Sequence, residues 1–563
     1  MRFLIAALLF VISVTLLLTG LAQRTIWAPP SQISQAIQLE SAKSLVLIPN
    51  SVLNAHRGNP TVYVHGSGAT FLATGRESDV SAWIGSSSFD TVTLNKKQLI
   101  QESKEGVPNI DSPIGSDLWW TEVNSVVSAR LKVDKNNEGA VLVASDGIKP
   151  TPGSISIVWP VPFDLFWSNL LMISGGVILL SAIILNTLAY RNMRRSRGPR
   201  RKTPTPPKPP RYRVKAAKGN APVRGRRSAG RALIAVPVVI SVLLATTSCA
   251  PAPTPTASPT PAPSGQLLPP AALLQSQIDR IVKNVAEVSS NADVASDKKV
   301  LTSRFAGPAL QQRTAYYVIR SRSTKLPALP PILGEPISFS LPAATDAWPR
   351  TAMVVTDNPS DSQPPQMLVL QQETPRSKYM LWYNIALMPG TKIPEVPGTE
   401  VGAIPVDPNS LFLKVAPNTL AAVYGDVINN GASSLSYGLF DVAKDEFYNQ
   451  VSADQANKVA NVAGKISFSH ALGDKNVLSL ATRTAGALVA VYMTDTYTIK
   501  PKNRRSAIAV TGNEKIMLGA DGSTRGIKSV YGDMLLFYVP AVSDETGIKL
   551  LGVTQGLISV RSL

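Results

Sequence analysis

Apolar residues fall along this chain in three patterns, and each predicts a different kind of structure. The first pattern is the unbroken run. Leu4–Ala22 holds 19 residues without a charge, and Leu165–Tyr190 holds 26. A membrane-spanning helix needs about 20 apolar residues, so both runs predict spans. Phe166 and Trp167 at one end of the second run, and Tyr190 at the other, suit the aromatic belt of a bilayer. The first run has a rival reading as a cleaved signal peptide. No A-x-A site precedes Gln23-Arg24 and the run is long for a signal core, which favours an uncleaved anchor. A third run, Ala232–Ser248, has 17 uncharged residues and contains Pro237. It sits at the lower edge for a span and the upper edge for a signal core.

The second pattern is the short β-branched run bounded by Gly, Asn or Pro. Ser44–Asn50, Thr61–Gly66, Ala69–Gly75, Ala140–Gly147 and Ser154–Pro160 all have this form and predict strands. They make residues 23–164 a small β-rich domain tied to apolar runs at both ends. Within it, Arg76, Glu77 and Asp79 form the densest polar cluster. A turn with a surface ion pair, followed by Trp83 as core, is the expectation, with a catalytic carboxylate pair as the sharper alternative. Trp119 and Trp120 are adjacent, so a strand would bury one and leave the other outward.

The third pattern is helical spacing. Leu274, Ile278, Ile281, Val282 and Val285 share a face, as do Leu420, Val423, Tyr424, Val427 and Ile428. Asn418 and Gly431 are candidate caps of the latter helix. Each is followed by a second candidate helix, Pro308–Arg320 and Leu439–Val451, and Pro308 suits a first turn. Then the tetrapeptide ISFS occurs twice, at Ile337–Ser340 and Ile466–Ser469, and strand-like runs follow both copies. Tyr379–Gly390 parallels Gly532–Ser543. The order predicts two tandem α+β units over 267–405 and 406–563. Asp441, Lys444, Asp445 and Glu446 read as a solvated charged face of the second helix.

Charge decides the topology. The chain carries a net charge of +19, and residues 190–231 contain 16 lysines and arginines with no acid. Basic residues beside membrane helices stay cytoplasmic. The predicted order is therefore a span at 1–22, an outer β-rich domain at 23–164 and a second span at 165–190. A cytoplasmic basic, proline-rich loop at 191–231 and a third span or lipoprotein-type signal at 232–248 come next. A Pro/Thr-rich linker at 249–266 leads into the two outer α+β units. The fold class is a multi-domain plasma-membrane protein. The linker stretch Ala250–Gly265 holds six prolines and predicts an extended stalk. The basic loop reads as a topogenic segment. Contact with anionic lipid headgroups is the alternative, and the lack of interleaved aromatics argues against nucleic acid.

The single cysteine, Cys249, excludes an internal disulfide framework. The run LLATTSC ending at Cys249 resembles a bacterial lipobox, with Thr246 where leucine is usual, and implies lipid attachment. The competing reading is a cysteine at the end of a simple anchor. His56, His65 and His470 are too scattered for a His/Cys metal site, and no cofactor is implied. No G-x-S-x-G elbow, phosphate loop or dinucleotide fingerprint occurs.

Helices followed by an antiparallel meander resemble the nuclear-transport-factor-2-like cone fold of exported bacterial lipoprotein domains. In such a cone the sheet and helices enclose an apolar cavity. Trp382, Tyr383, Phe537 and Tyr538 lie on strands that would line it, with core packing as the plainer role. The AQRTIW, GRESDVSAW and stalk pattern resembles an uncharacterised family of actinobacterial membrane proteins, some labelled glycosyltransferases. The D-x-D carboxylate pair of a metal-dependent transferase does not occur. The expectation is a non-enzymatic envelope protein presenting domains for binding or assembly with other envelope proteins or glycans. A lipid or glycan carrier and an envelope glycosyltransferase are the alternatives.

Overall fold

Helix α1 (Arg2–Arg24) opens the chain. Strands β1 (Gln32–Gln38) and β2 (Leu45–Ile48), helix α2 (Asn50–Leu53), and strands β3 (Thr61–His65) and β4 (Thr70–Arg76) follow. Next come helix α3 (Glu77–Ile84) and strands β5 (Phe89–Asn95), β6 (Gln98–Lys104), β7 (Thr121–Ser125), β8 (Ser128–Lys132), β9 (Gly139–Ala144) and β10 (Ser154–Pro160). Helix α4 (Phe166–Ser196) ends this part. The computed structural model describes residues 2–196 and 269–563, except 29, 41, 67, 97, 110, 135–137, 162–164, 324, 325, 359, 361, 362, 463 and 504. The basic loop beyond Ser196, the third apolar run, Cys249 and the proline stalk lie outside the described residues. The chain divides into two units, one of residues 1–28 and 164–266, the other of 29–163 and 267–563.

In the first unit α1 packs antiparallel to α4. Glycines let the backbones approach: a Cβ on Gly20 would meet Met172 at 2.7 Å, and one on Gly175 would meet Leu17 at 3.0 Å. Arg24 donates to Ser168 Oγ (3.0 Å) and to Asn169 at one end of the pair. Away from this contact, both helices expose their large apolar side chains. They are long and apolar enough to cross a membrane.

The second unit begins as a sandwich. One sheet runs β1-β10-β3-β8, and the other runs β6-β5-β2-β9-β4-β7. Val62, Ile155 and Ile157 of the first pack on Val46, Leu72 and Val141 of the second. Trp159 closes this core and donates to Leu53 O at 2.8 Å. The larger sheet is also covered on its far side, where Val80, Trp83 and Ile84 of α3 pack with Trp119 against Leu45, Phe71 and Leu142. Burial on both faces explains why β2, β4 and β9 read as continuous apolar runs instead of alternating ones. Of the adjacent tryptophans, Trp119 is buried and Trp120 half-buried.

From residue 269 the unit repeats one order of elements. Helices α5 (Gln275–Ala295), α6 (Lys298–Leu301) and α7 (Gly307–Arg322) precede a meander of β11 (Ile337–Pro342), β12 (Arg350–Thr356), β13 (Gln366–Gln372) and β14 (Met380–Ala386). Helices α8 (Pro417–Asn430) and α9 (Glu446–Asn461) precede β15 (Gly464–Leu472), β16 (Leu478–Ala481) and β17 (Ala487–Pro501). An insertion of β18 (Ile508–Ala509), α10 (Gly512–Leu518) and β19 (Gly522–Ser523) leads to β20 (Ile527–Val539) and β21 (Lys549–Ser562). The second sheet is ordered β15-β17-β20-β21, with β16 on β17. Both ISFS copies lie in the first strand of their sheet.

Three local expectations need correction. Tyr379–Gly390 forms the fourth strand of its meander, whereas Gly532–Ser543 falls in the third of the other, so their likeness is of composition and not of position. The helix expected over Leu439–Val451 begins only at Glu446, after two 3-10 turns. Helix α8 is capped by Ala416 with Pro417 in its first turn, not by Asn418, while Gly431 does end it with φ of 54°. The two repeats share one core. Leu488, Ala490, Met534 and Leu536 of the second sheet pack with Met353, Leu368 and Leu381 of the first. Alternate residues Val489, Val491, Leu535 and Phe537 face α8 instead.

Candidate functional site

The aromatics expected to line one cone cavity do not converge. Tyr383 and Phe537 are fully buried in cores on opposite faces of the second sheet. Tyr383 donates to Asn476 O at 2.6 Å. The Phe537 ring packs against Tyr424 with centroids 5.0 Å apart. Trp382 lies over Gly307, whose Cβ would sit 2.5 Å from the indole; that glycine also has φ of +50°. Tyr538 shares a hydroxyl contact with Thr484 at 3.1 Å.

The strongest electrostatic arrangement is a seam between residues 29–163 and the repeats. Its pieces come from α3 and the loop before β7 on one side, and from α5, the loop before α7, β12 and the turn before β14 on the other. Acidic residues Glu77 and Asp79 suit the first turn of α3. With Val80, Trp83 and Ile84 committed to the sheet, Asp79 turns to Arg350, and their atoms meet at 2.7 Å with side chains 2% and 0% exposed. The Trp348 ring covers the Arg350 guanidinium at 3.6 Å. Asp117 takes Arg304 in a two-pronged contact, at 2.6 and 3.0 Å, and also accepts the Tyr379 N–H at 2.8 Å. Gln277 and Arg280 donate to the carbonyls of Asp117, Leu118 and Trp119.

Arg376 caps the C-terminal end of α3, donating to Trp83 O at 2.8 Å and Ile84 O at 3.0 Å, and it pairs with Asp111 at 2.6 Å. Arg76 pairs with Asp346 and reaches Ala271 O. The turn with a surface ion pair expected at Arg76–Asp79 is therefore a helix with a buried one. Its partners lie about 270 residues downstream, beyond any local pattern.

A second polar group sits on the α8-facing side of the second sheet. Asp445 was expected on a solvated face. It is buried instead, where it caps α9 through Tyr448 N at 2.9 Å and accepts the Tyr424 hydroxyl at 2.7 Å. Burial raises its carboxyl above the usual range. Asp441 and Lys444 keep an exposed pairing before the helix. His470 stands between Asn429 (2.7 Å) and Asp495 (3.2 Å). Asp533 is fully buried, neither of its oxygens has a hydrogen-bond partner among the described residues, and burial followed by the Asp495 charge pushes its pKa up to about 8. Among the described residues no three His, Cys, Asp or Glu side chains gather to hold a metal ion.

Two outcomes follow. Removing one partner of a buried ion pair strands the other charge, at a cost of about 3–5 kcal/mol. Arg304→Met should lower unfolding stability by about that much, and Arg304→Met with Asp117→Leu should recover part of the loss in a denaturant-unfolding cycle. Asp533 keeps in the native state a proton that the unfolded chain gives up near pH 4. Stability should therefore fall as pH rises from about 4 to about 8 and level off above, by at most about 1.4 kcal/mol per pH unit. Asp533→Asn should flatten that slope when melting is followed between pH 5 and 9.

No curated protein and no solved structure matches the chain. Residues 270–562 match a family model described as a domain of unknown function, DUF8094. The match begins just before α5, ends in β21 and takes in Arg280, Arg304, Arg350 and Arg376, the basic side of the seam. Covering just over half of its length, the match makes this chain a member of the DUF8094 family.

Proposed function

We propose that this is a multi-pass plasma-membrane protein of an actinobacterial cell envelope. In this reading it presents one extracytoplasmic body for binding or assembly with other envelope proteins or glycans, and it does not catalyse a reaction. The observation that carries the reading is the seam. Residues 29–163 lie between two apolar helices, and the DUF8094 region packs against them through buried Arg–Asp pairs. If α1 and α4 both span, the chain after α4 is on the opposite side of the bilayer from residues 29–163. It must return before α5, which requires an odd number of further crossings. The one long apolar run in that interval of the sequence is Ala232–Ser248.

Exposure supports the spans. Only 17% and 11% of the apolar stretches of α1 and α4 are buried, whereas the core helix of a soluble domain would be enclosed. Arg194 and Arg195 in the last turn of α4 belong to the basic block and suit a cytoplasmic end near anionic headgroups. Cys249, directly after the third run, is the candidate lipid attachment point. The repeated order of helices then antiparallel meander supports the nuclear-transport-factor-2-like reading of 267–405 and 406–563.

Labelling of single cysteines in a Cys249→Ala background tests the topology. In intact spheroplasts a membrane-impermeant maleimide should modify Val126→Cys and Leu435→Cys, which replace exposed side chains in the two halves of the body. Ser228→Cys should react only after permeabilisation. Protection of Leu435→Cys until lysis would overturn the proposal.

A further inference from the structure

Helix α7 does not close fully onto the two sheets of the repeats. Between α7, β14, β20 and β21 it leaves a cavity of about 460 Å³, within the range of roughly 300–1,000 Å³ that holds a small organic ligand. Its walls are largely apolar, with Phe305, Ile319, Leu329, Met534 and Leu557 among them. Asn513 at its margin is exposed.

Three of the residues that line this space each carry a buried polar atom with no hydrogen-bond partner among the described residues: Tyr316 Oη, Gln366 Oε1 and Asn384 Oδ1. Leaving such an atom unpaired costs about 1–3 kcal/mol, so three of them on residues around one cavity call for an occupant that their side chains can turn to meet. Gln366 is 5% exposed, and its amide nitrogen donates to Pro331 O at 3.1 Å. That bond fixes the amide orientation and leaves the oxygen as an acceptor. Thr554 Oγ accepts the Ala386 N–H at 2.9 Å, so its own proton is available. The one charged side chain in the lining, Arg313, is neutralised by a two-pronged contact with Asp293, which Tyr317 also meets at 2.6 Å.

We propose that this cavity is a binding site for a neutral amphiphile. Its apolar body would lie along α7 and β20, and a hydroxyl- or amide-bearing head would donate to Gln366 and Asn384 and meet the Tyr316 hydroxyl. The lining offers no unpaired charge to an ionic headgroup, which sets the class. The site is formed wholly within the repeats and does not depend on the membrane topology proposed above.

Full-length protein in lipid nanodiscs, titrated with radiolabelled monomyristoylglycerol against empty nanodiscs, tests the proposal. Saturable binding of one molecule per chain is expected. Asn384→Leu and Tyr316→Phe should each weaken it about tenfold, which corresponds to about 1.4 kcal/mol. Ala309→Phe, which fills the cavity from α7, should abolish it. Tyr316→Phe removes a single oxygen and keeps the ring, so a loss of binding with an unchanged unfolding curve separates recognition from folding. Binding no greater than that of empty discs, or binding that Ala309→Phe leaves intact, would overturn the site. Equal affinity for myristate would overturn its neutral class.

Discussion

The contact between Asp117 and Arg304 constrains the rest of this molecule. Both side chains are removed from water, and a carboxylate or guanidinium buried alone is far more costly than the pair. Asp117 also receives the Tyr379 N–H, so each carboxylate oxygen is engaged. Asp79 of α3 and Arg350 make a second buried pair through a single contact at 2.7 Å. Neither half can bury its share of this surface alone without stranding charges, which makes residues 29–163 and the DUF8094 region parts of one folded body. That requirement, with two apolar helices flanking the first part, turns a packing contact into a statement about the path of the chain.

Inside the repeats, strand alternation does the organising. Successive residues of β17 and β20 feed two separate cores, one shared with the first sheet and one closed by α8. A sheet used on both faces must be covered on both, and α7 has to bridge two curved surfaces at once. The cavity beneath it is the space that this geometry leaves unfilled. Tyr531 and Gln555 line this cavity and also a second one, beneath α9, so the two spaces are neighbours across the edge of the sheet.

Much of the fold could be read from local pattern. The runs at Leu45–Ile48, Thr61–His65, Thr70–Arg76 and Ser154–Pro160 are strands because β-branched residues bounded by turn formers need little tertiary help. The two ISFS segments announced the repeat. Half-polar strands such as β7 and β8 were missed because their outward residues mask the alternation. The seam was invisible for a different reason. Asp79 and Asp117 look like ordinary surface acids in a linear reading, and their arginines lie 271 and 187 residues away. Asp445 reads as solvated in the sequence because the partner that meets it in the interior, Tyr424, belongs to the preceding helix. The cavity-lining Gln366 and Asn384 carry no motif at all; their significance is a missing partner, which exists only in three dimensions.

The most direct measurement is to insert a protease site within Ala250–Gly265, cleave it in membranes, and ask where residues 269–563 go. If the buried arginine–aspartate seam holds the body together, the released fragment stays with the membrane through residues 29–163 and leaves only when Arg304 and Arg350 are both replaced by methionine. Release of the unsubstituted fragment into the supernatant after cleavage would contradict the account.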